Sequence, residues 1–320
     1  MEQSFETRPL VDREILRALQ KREDVPSLIR LGMQLGAFVL AMVLVVYASS
    51  SPVTAFAAAL LLGAIWTTFF APFHECAHLT AFRTRHLNTI GAWLTGIPFG
   101  MSPTVYREFH FAHHRYTQDP AKDPELLGSA TFDGWPNAPL AWAYMVAGLW
   151  LLRLKVRLLF RIAFSSPKGP EFGAPFDDPS LRSTFVWESR AIASVWTATA
   201  LLALAGAPGA AWIIFALVPC HMLQAIWLTA EHTGLPHDGT ILNRTRTTYT
   251  SALVSWWLWN MNYHAEHHAW PAVPWHALPT LHRQIASHLE HESWGYWRLQ
   301  LDVLHHNQLP DGAPLIASGK

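Results

Sequence analysis

Asn260-Met-Asn-Tyr-His264-Ala-Glu-His267-His268 is the stretch that decides how the chain is read. Its H-x-x-H-H spacing recurs as His110-Phe-Ala-His113-His114, and a simpler pair, His74-Glu-Cys-Ala-His78, precedes both. On a helix, residues three and four apart lie within about 60° of the first. Each cluster is therefore expected to aim its imidazoles at one point. Together the three supply eight imidazoles, too many for one metal ion and about right for two.

Composition gives the class. The 320 residues are 51% hydrophobic and only 14% charged, where a soluble domain carries about 25% charged residues. Tryptophan, which gathers at membrane–water boundaries, occurs 16 times. The net charge is zero, so nothing suggests a nucleic-acid partner. Cys76 and Cys220 form no C-x-x-C pattern, which argues against a disulfide framework, a zinc ribbon or a fused rubredoxin-type domain. No signal peptide is visible, because residues 1–30 are charged and the first apolar run begins at Leu31.

Four apolar runs read as spans: residues 31–48, 53–71, 191–207 and 209–230. The predicted architecture is all-α and membrane-embedded, with four transmembrane helices in two hairpins, interfacial helices and a cytoplasmic histidine-rich cap. Residues 1–30 form an amphipathic segment, with Val11, Ile15, Leu16 and Leu19 on one face, that lies on the bilayer or covers the site. Residues 31–309 form the membrane domain, and 310–320 a tail. The stretch from Leu87 to Gly100 is apolar but holds three glycines and a proline, which suits an interfacial or re-entrant segment. Trp142–Phe164 is interrupted by Arg153, Lys155, Arg157 and Arg161; it reads as an interfacial helix whose cations sit near lipid phosphates. The tryptophans read as interface anchors.

Charge sets the orientation. Six basic residues (Arg8, Arg13, Arg17, Lys21, Arg22, Arg30) precede the first span, and both span-to-span turns have none. The positive-inside rule puts the N-terminus in the cytoplasm. Both hairpins then return the chain there, so the three clusters and His232, which ends the fourth run, share one side. A bacterial inner membrane is the expected location.

Neutral imidazole binds iron, zinc, copper and nickel, so ligand type alone does not name the metal. Number helps. A structural zinc site takes four ligands and a catalytic one three. The nine candidates are His74, His78, His110, His113, His114, His232, His264, His267 and His268. They suit two ions of higher coordination with positions left open, which fits iron better than zinc. Two irons can share the electrons needed to cleave O2 and remove hydrogen from an unactivated carbon. A metal transporter or sensor is the rival reading, but a transporter should place ionisable ligands along a path near mid-membrane.

These three motifs, with their contexts Phe109-His-Phe-Ala-His-His-Arg-Tyr-Thr-Gln-Asp119-Pro and Asn262-Tyr-His-Ala-Glu-His-His-Ala-Trp-Pro271, resemble the three histidine boxes of the membrane fatty acid desaturase and hydroxylase superfamily. The resemblance covers roughly residues 30–290. It implies four spans, a di-iron centre held mostly by histidine, and O2-dependent desaturation of a fatty acyl lipid or smaller amphiphile, with hydroxylation as the alternative. In style the chain is similar to bacterial members, including the rhizobitoxine-type desaturases. The third box starts with His264 rather than the Gln of cytochrome b5-fused desaturases, and no His-Pro-Gly-Gly haem motif is present. Electrons are therefore expected from a separate donor, a ferredoxin or similar carrier with its reductase.

Several neighbours are candidates to support the site. Glu75, Glu231 and Glu266 either orient box histidines or are solvated cap residues. Asp119 and Asp123 invite the same role, although turns and caps suit an Asp-Pro pair better. Asn262 either bonds at the site or packs. His221 lies eleven residues before His232, on the same helix face and about 16 Å deeper; with Gln224 it lines a substrate path or bonds a neighbouring helix. His282, His288, His291, His305 and His306 read as surface residues of a polar tail.

Overall fold

The computed structural model describes residues 10–129, 138–166, 168 and 172–306. Among them, three helical stretches are long and apolar enough to cross a membrane: Val25–Ala48, Pro52–His78 and Ala210–His232. The first is helix α2, which follows a short α1 (Arg13–Leu19). The second comprises α3 (Pro52–Thr67) and α4 (Phe70–His78), separated by a tight turn. The third comprises α11 (Ala210–Phe215) and α12 (Leu217–His232). Their outer faces are apolar and exposed, as at Leu40, Val43 and Val53, which is the surface expected against lipid.

Between α4 and α11 lie α5 (Arg85–Phe99), α6 (Pro103–Tyr116), α7 (Pro124–Ser129), α8 (Pro139–Val146), α9 (Leu149–Phe164) and α10 (Arg182–Leu204). Helix α10 contains all but the last three residues of the run 191–207, but its first turns carry Arg182, Glu188 and Arg190. It is not among the three helices that qualify by length and apolarity. The run expected from Trp142 to Phe164 is two helices, broken at Gly148. That glycine has φ 70°, and a Cβ there would lie 2.1 Å from the His221 carbonyl oxygen, so no larger residue fits.

After α12 the chain is not purely helical. Strand β1 (Thr247–Tyr249) pairs in parallel with β2 (Glu292–Trp294). The expectation of an all-α protein is corrected by this small sheet, which straps the polar tail beneath the histidines. Three residues per strand are too few for periodicity to reveal. Helices α13 (Ala252–Trp257), α14 (His264–Ala269), α15 (Leu278–Ile285) and α16 (Tyr296–His306) complete the cap.

Buried polar side chains lock membrane helices to cap. Gln34 of α2 donates to the Trp257 carbonyl at 2.9 Å and accepts from the Trp259 indole at 2.8 Å. Thr67 donates to the Cys220 carbonyl at 2.6 Å. In a low-dielectric interior such satisfied bonds specify one packing. A Cβ on Gly63 would meet the Ala216 oxygen at 2.6 Å, so α3 and α12 pack backbone to backbone.

Two expectations change here. The tryptophans are not all interface anchors: Trp66, Trp227, Trp259, Trp270 and Trp275 are buried, whereas Trp187, Trp294 and Trp297 are exposed. The tail histidines are not uniformly superficial either. His291 is buried, and His282 bonds Glu266 of the cap at 2.5 Å; the side chains of His305 and His306 lie outside the described residues. The described part of the N-terminal segment packs on the cap. Val11, Leu16 and Leu19 pack with Ala265, Ala269 and Trp270 of the third box.

Candidate metal centre

Box one lies in the last turns of α4, box two in the second half of α6, and box three makes up α14. Each is flanked by residues in left-handed backbone: Leu79 (φ 59°) just after box one, Gln118 (φ 64°) after box two, and Trp259 and Asn260 (φ 51° and 57°) before box three. Non-glycine residues adopt this region at a cost. Such strain collects where a site over-determines the chain.

All nine candidate histidines come together, in two groups. His74, His78, His110, His114 and His267 form one; His113, His232, His264 and His268 form the other. Within each group, one ring nitrogen per residue lies within 4.8 Å of all the others. The grouping corrects the expectation of one target per box. Boxes two and three are each divided: His110 and His114 face the first group and His113 the second, while His264 and His268 face the second and His267 the first. The reason is angular. Positions i and i+4 differ by about 40°, whereas i+3 and i+4 diverge by about 100°. H-x-x-H-H is therefore a two-target motif.

Ring nitrogens face one another at hydrogen-bond distance. His110 Nε2 lies 2.8 Å from His78 Nε2 and 2.9 Å from His114 Nε2, and His264 Nε2 is 2.8 Å from His232 Nε2. Both nitrogens of His74, and further buried ring nitrogens of His110, His267 and His268, have no hydrogen-bond partner. A buried polar atom without a partner is costly. The converging Nε2 atoms of neutral rings cannot all be donors and acceptors to one another, and imidazole lone pairs gathered in this way are the donor set a cation satisfies. Burial first, and then the neighbouring rings, hold His110, His114, His264, His267 and His268 well below the ordinary imidazole pKa. They are thus in the neutral form that binds metal.

The far side of several rings is braced. His113 Nδ1 lies 3.0 Å from Asp123 Oδ1. Burial opposes protonation there, but the Glu125 and Asp123 carboxylates outweigh it and raise His113 to about 9. His232 Nδ1 donates to the Arg244 carbonyl at 2.9 Å. Thr117 gives its hydroxyl proton to the His113 carbonyl at 2.8 Å, so its oxygen accepts from His268 Nδ1 at 3.3 Å. Glu231 Oε1 stands 3.3 Å from His264 Nδ1 but off the hydrogen-bond direction. Such contacts choose which ring nitrogen carries the proton and leave the other for metal.

The remaining candidates sort themselves by contact. Asp119 accepts from the Ala121 N–H at 2.9 Å and shapes the turn. Asp123 does what had been considered for both aspartates, since it caps the Glu125 N–H at 2.9 Å and braces His113. Glu266 turns away from the rings to Thr247 and His282. Glu75 accepts from Thr80 at 2.8 Å and from the Trp275 N–H at 3.2 Å, tying box one to the cap. Asn262 accepts from Ser255 at 2.6 Å, the packing alternative. His221 bonds its own helix through the Leu217 carbonyl at 2.8 Å. Sequence reasoning gave no role to Thr117, Glu125 or the Arg244 carbonyl; Glu125, directly after Asp123-Pro, carried the only local signal.

A cavity of about 460 Å³ opens beside the second group. His113 and His232 line it, together with Asp123, Glu125, Tyr106, Lys155 and Gln224. A separate void of about 10 Å³ is bordered by His74 and His110 of one group and His113 and His264 of the other.

Helices apolar enough to cross a membrane and two buried histidine groups that could hold metal define the class of protein. The chain matches the fatty acid desaturase family over residues 50–300 and belongs to it. It is 26% identical to a sphingolipid Δ4-desaturase of Drosophila melanogaster over 69% of this chain and 64% of that protein. It is 23% identical to a Δ8-fatty-acid desaturase of Euglena gracilis over 72% of this chain and 60% of that protein. It is 28% identical to a zeaxanthin 4-ketolase of Chlamydomonas reinhardtii over 69% of this chain and 42% of that protein. The chain thus spans less than two thirds of the length of these relatives.

Proposed function

We propose that the protein is a di-iron oxidoreductase that uses O2 and two electrons to desaturate an unactivated C–C bond of an amphiphilic substrate. The observation that carries this reading is the pair of buried all-imidazole groups, five and four strong, beside one substrate-sized cavity. His74, His78, His110, His114 and His267 would hold one iron; His113, His232, His264 and His268 would hold the other. Bound there, the irons supply the electrons that activate O2 for hydrogen abstraction. The protein's own part is placement. Asp123, Thr117 and the Arg244 carbonyl hold the second group's rings in register, and the apolar cavity walls keep water from the reacting carbon. Hydroxylation is the second reading, favoured by the ketolase relative; sub-ångström substrate placement separates the two outcomes.

Electrons would come from a separate carrier such as a ferredoxin with its reductase, since Cys76 and Cys220 are both buried among apolar residues. The histidine face would lie on the cytoplasmic side of a bacterial inner membrane, in line with the basic residues ahead of α2. Helix α10 would be the fourth span. α4 and α12 both end at the histidines, so the chain between α6 and α11 has to cross once, and α10 exposes Leu201, Leu202 and Leu204 as a lipid-facing end. None of the three relatives bears on the rhizobitoxine-type branch.

The test is metal analysis of the purified protein together with product formation under air and under argon, with a reductant supplied. Two irons per chain and strict O2 dependence are expected. A single zinc, or undiminished anaerobic turnover, would refute the assignment.

A further inference from the structure

Helix α9 has two faces. Arg153, Arg157 and Arg161, spaced four apart, are exposed, as expected of cations beside lipid phosphates. Leu151, Lys155 and Leu159, also spaced four apart, are buried. Lys155 therefore does not join the arginines. Only 5% of it is exposed, and it lines the cavity. Its Nζ lies 2.6 Å from Gln224 Oε1 and 3.7 Å from the centre of the Phe99 ring. Among the described residues no carboxylate pairs with it. Burial pushes the amine down to about 7. A buried cation without a counter-charge is expensive.

Gln224 repeats the theme. It is 1% exposed and lines the same cavity; its oxygen is spent on Lys155, while its Nε2 has no acceptor. This part of the cavity thus presents an ammonium and an unpaired carboxamide N–H, both donors. The other end differs in sign, since Asp123 and Glu125 line the wall near His113. An anion is repelled there and attracted here. Gln224 is eight residues before His232 on α12, about 12 Å along the axis.

Resting on the di-iron reading above, we propose that Lys155 and Gln224 form a receptor for the carboxylate of an acid-terminated amphiphile, which sets the carbon presented to the metal centre. A carboxylate accepts from both groups at once and supplies the missing charge, giving charge-assisted bonds about twice as strong as neutral ones. Lys155 is then a specificity-determining residue, and the substrate lies with its acid end deep and its chain running toward His113 and His232.

The experiment compares decanoate with methyl decanoate, which share a chain and differ in charge. Binding to the purified full-length protein is measured by calorimetry, with iron content determined on each preparation. Wild type should bind decanoate about tenfold or more tighter than the ester. Lys155→Met should erase that preference with iron content unchanged, and Lys155→Arg should keep it. Gln224→Leu, which leaves the lysine in place, should weaken decanoate more than the ester. Equal binding of the two probes by wild type, or a carboxylate preference that survives Lys155→Met, overturns the proposal. Absence of iron with the preference intact would sink the di-iron reading and leave the receptor standing. Two irons with no preference does the reverse.

Discussion

The two histidine groups use the same ligand atom and are built differently. In the five-histidine group the rings meet mainly one another: His74 and His78 each meet His110 and His267 edge to face, at centroid distances of 4.4 to 4.8 Å. In the four-histidine group three rings lean on an oxygen, that of Asp123, Arg244 or Thr117. The second group also supplies His113 and His232 to the wall of the large cavity, whereas the first group supplies none of its lining. On the proposed reading, the five-ring group would hold its metal by number. The four-ring group would hold its metal by bracing, and it stands beside the cavity.

The strongest way to break this contrast is to remove one ring from each side. His113→Ala leaves three donors in the second group, and His78→Ala leaves four in the first. His113→Ala is expected to lose about one iron and all turnover, whereas His78→Ala keeps more of its iron. Iron per chain and Mössbauer spectra on both variants decide it. Equal iron loss in the two would show that the groups behave as one cluster.

Bracing comes next. Asp123→Asn keeps the shape but removes the charge that fixes the Nδ1 proton of His113. Loss of such an outer partner costs about 10–100-fold in metal affinity or activity. The loss should fall on one of the two iron sites, as read by competition with a chelator. A matched decrease at both sites would mean that the aspartate serves the fold rather than the second group.

Packing gives a change that should not discriminate. A Cβ on Gly63 would sit 2.6 Å from both the Ala216 oxygen and Pro219 Cγ. Gly63→Ala forces α3 away from α12, at about 1–3 kcal/mol for overpacking. These helices lead to His74 and His78 on one side and to His232 on the other. Thermal inactivation should come earlier and both irons should fall together. Selective loss from one site would show that the groups can move independently.

How much of this was open to reading depends on range. The membrane helices α2, α3 and α12 were legible because apolarity over twenty residues is a local property. The eight box histidines were legible because helical spacing is local too, and His232 because it ends an apolar run at the same depth. The division of each H-x-x-H-H between two targets follows from the same 100° step, but choosing it required the position of the partner helix. Lys155 shows the limit most clearly. As a charge in an apolar run it stands beside three arginines, and only the packing of α9 on α12 turns it inward. Asp123 was visible as an Asp-Pro cap, and that role masked its second one. The strand Glu292–Trp294 left no trace, since its partner lies some forty-five residues away.

The smallest effect is the sharpest probe. Thr117→Val keeps volume and branching and deletes one hydroxyl. Two kinds of contact go: the donation to the His113 carbonyl at 2.8 Å, shared with the His114 carbonyl at 3.3 Å, and the 3.3 Å contact with His268 Nδ1. The first is an i→i−4 bond within the turn and helps hold His113 at the helix end. The second fixes the His268 tautomer. A neutral hydrogen bond contributes about 0.5–1.5 kcal/mol net, so iron affinity at the second site should fall by a factor of a few. Turnover should drop modestly and the first site should stay full. The same loss at both sites would mean that the hydroxyl supports the end of α6 as a whole, which carries His110 and His114 as well, and the contrast between a crowded group and a braced one would reduce to a difference in ligand count.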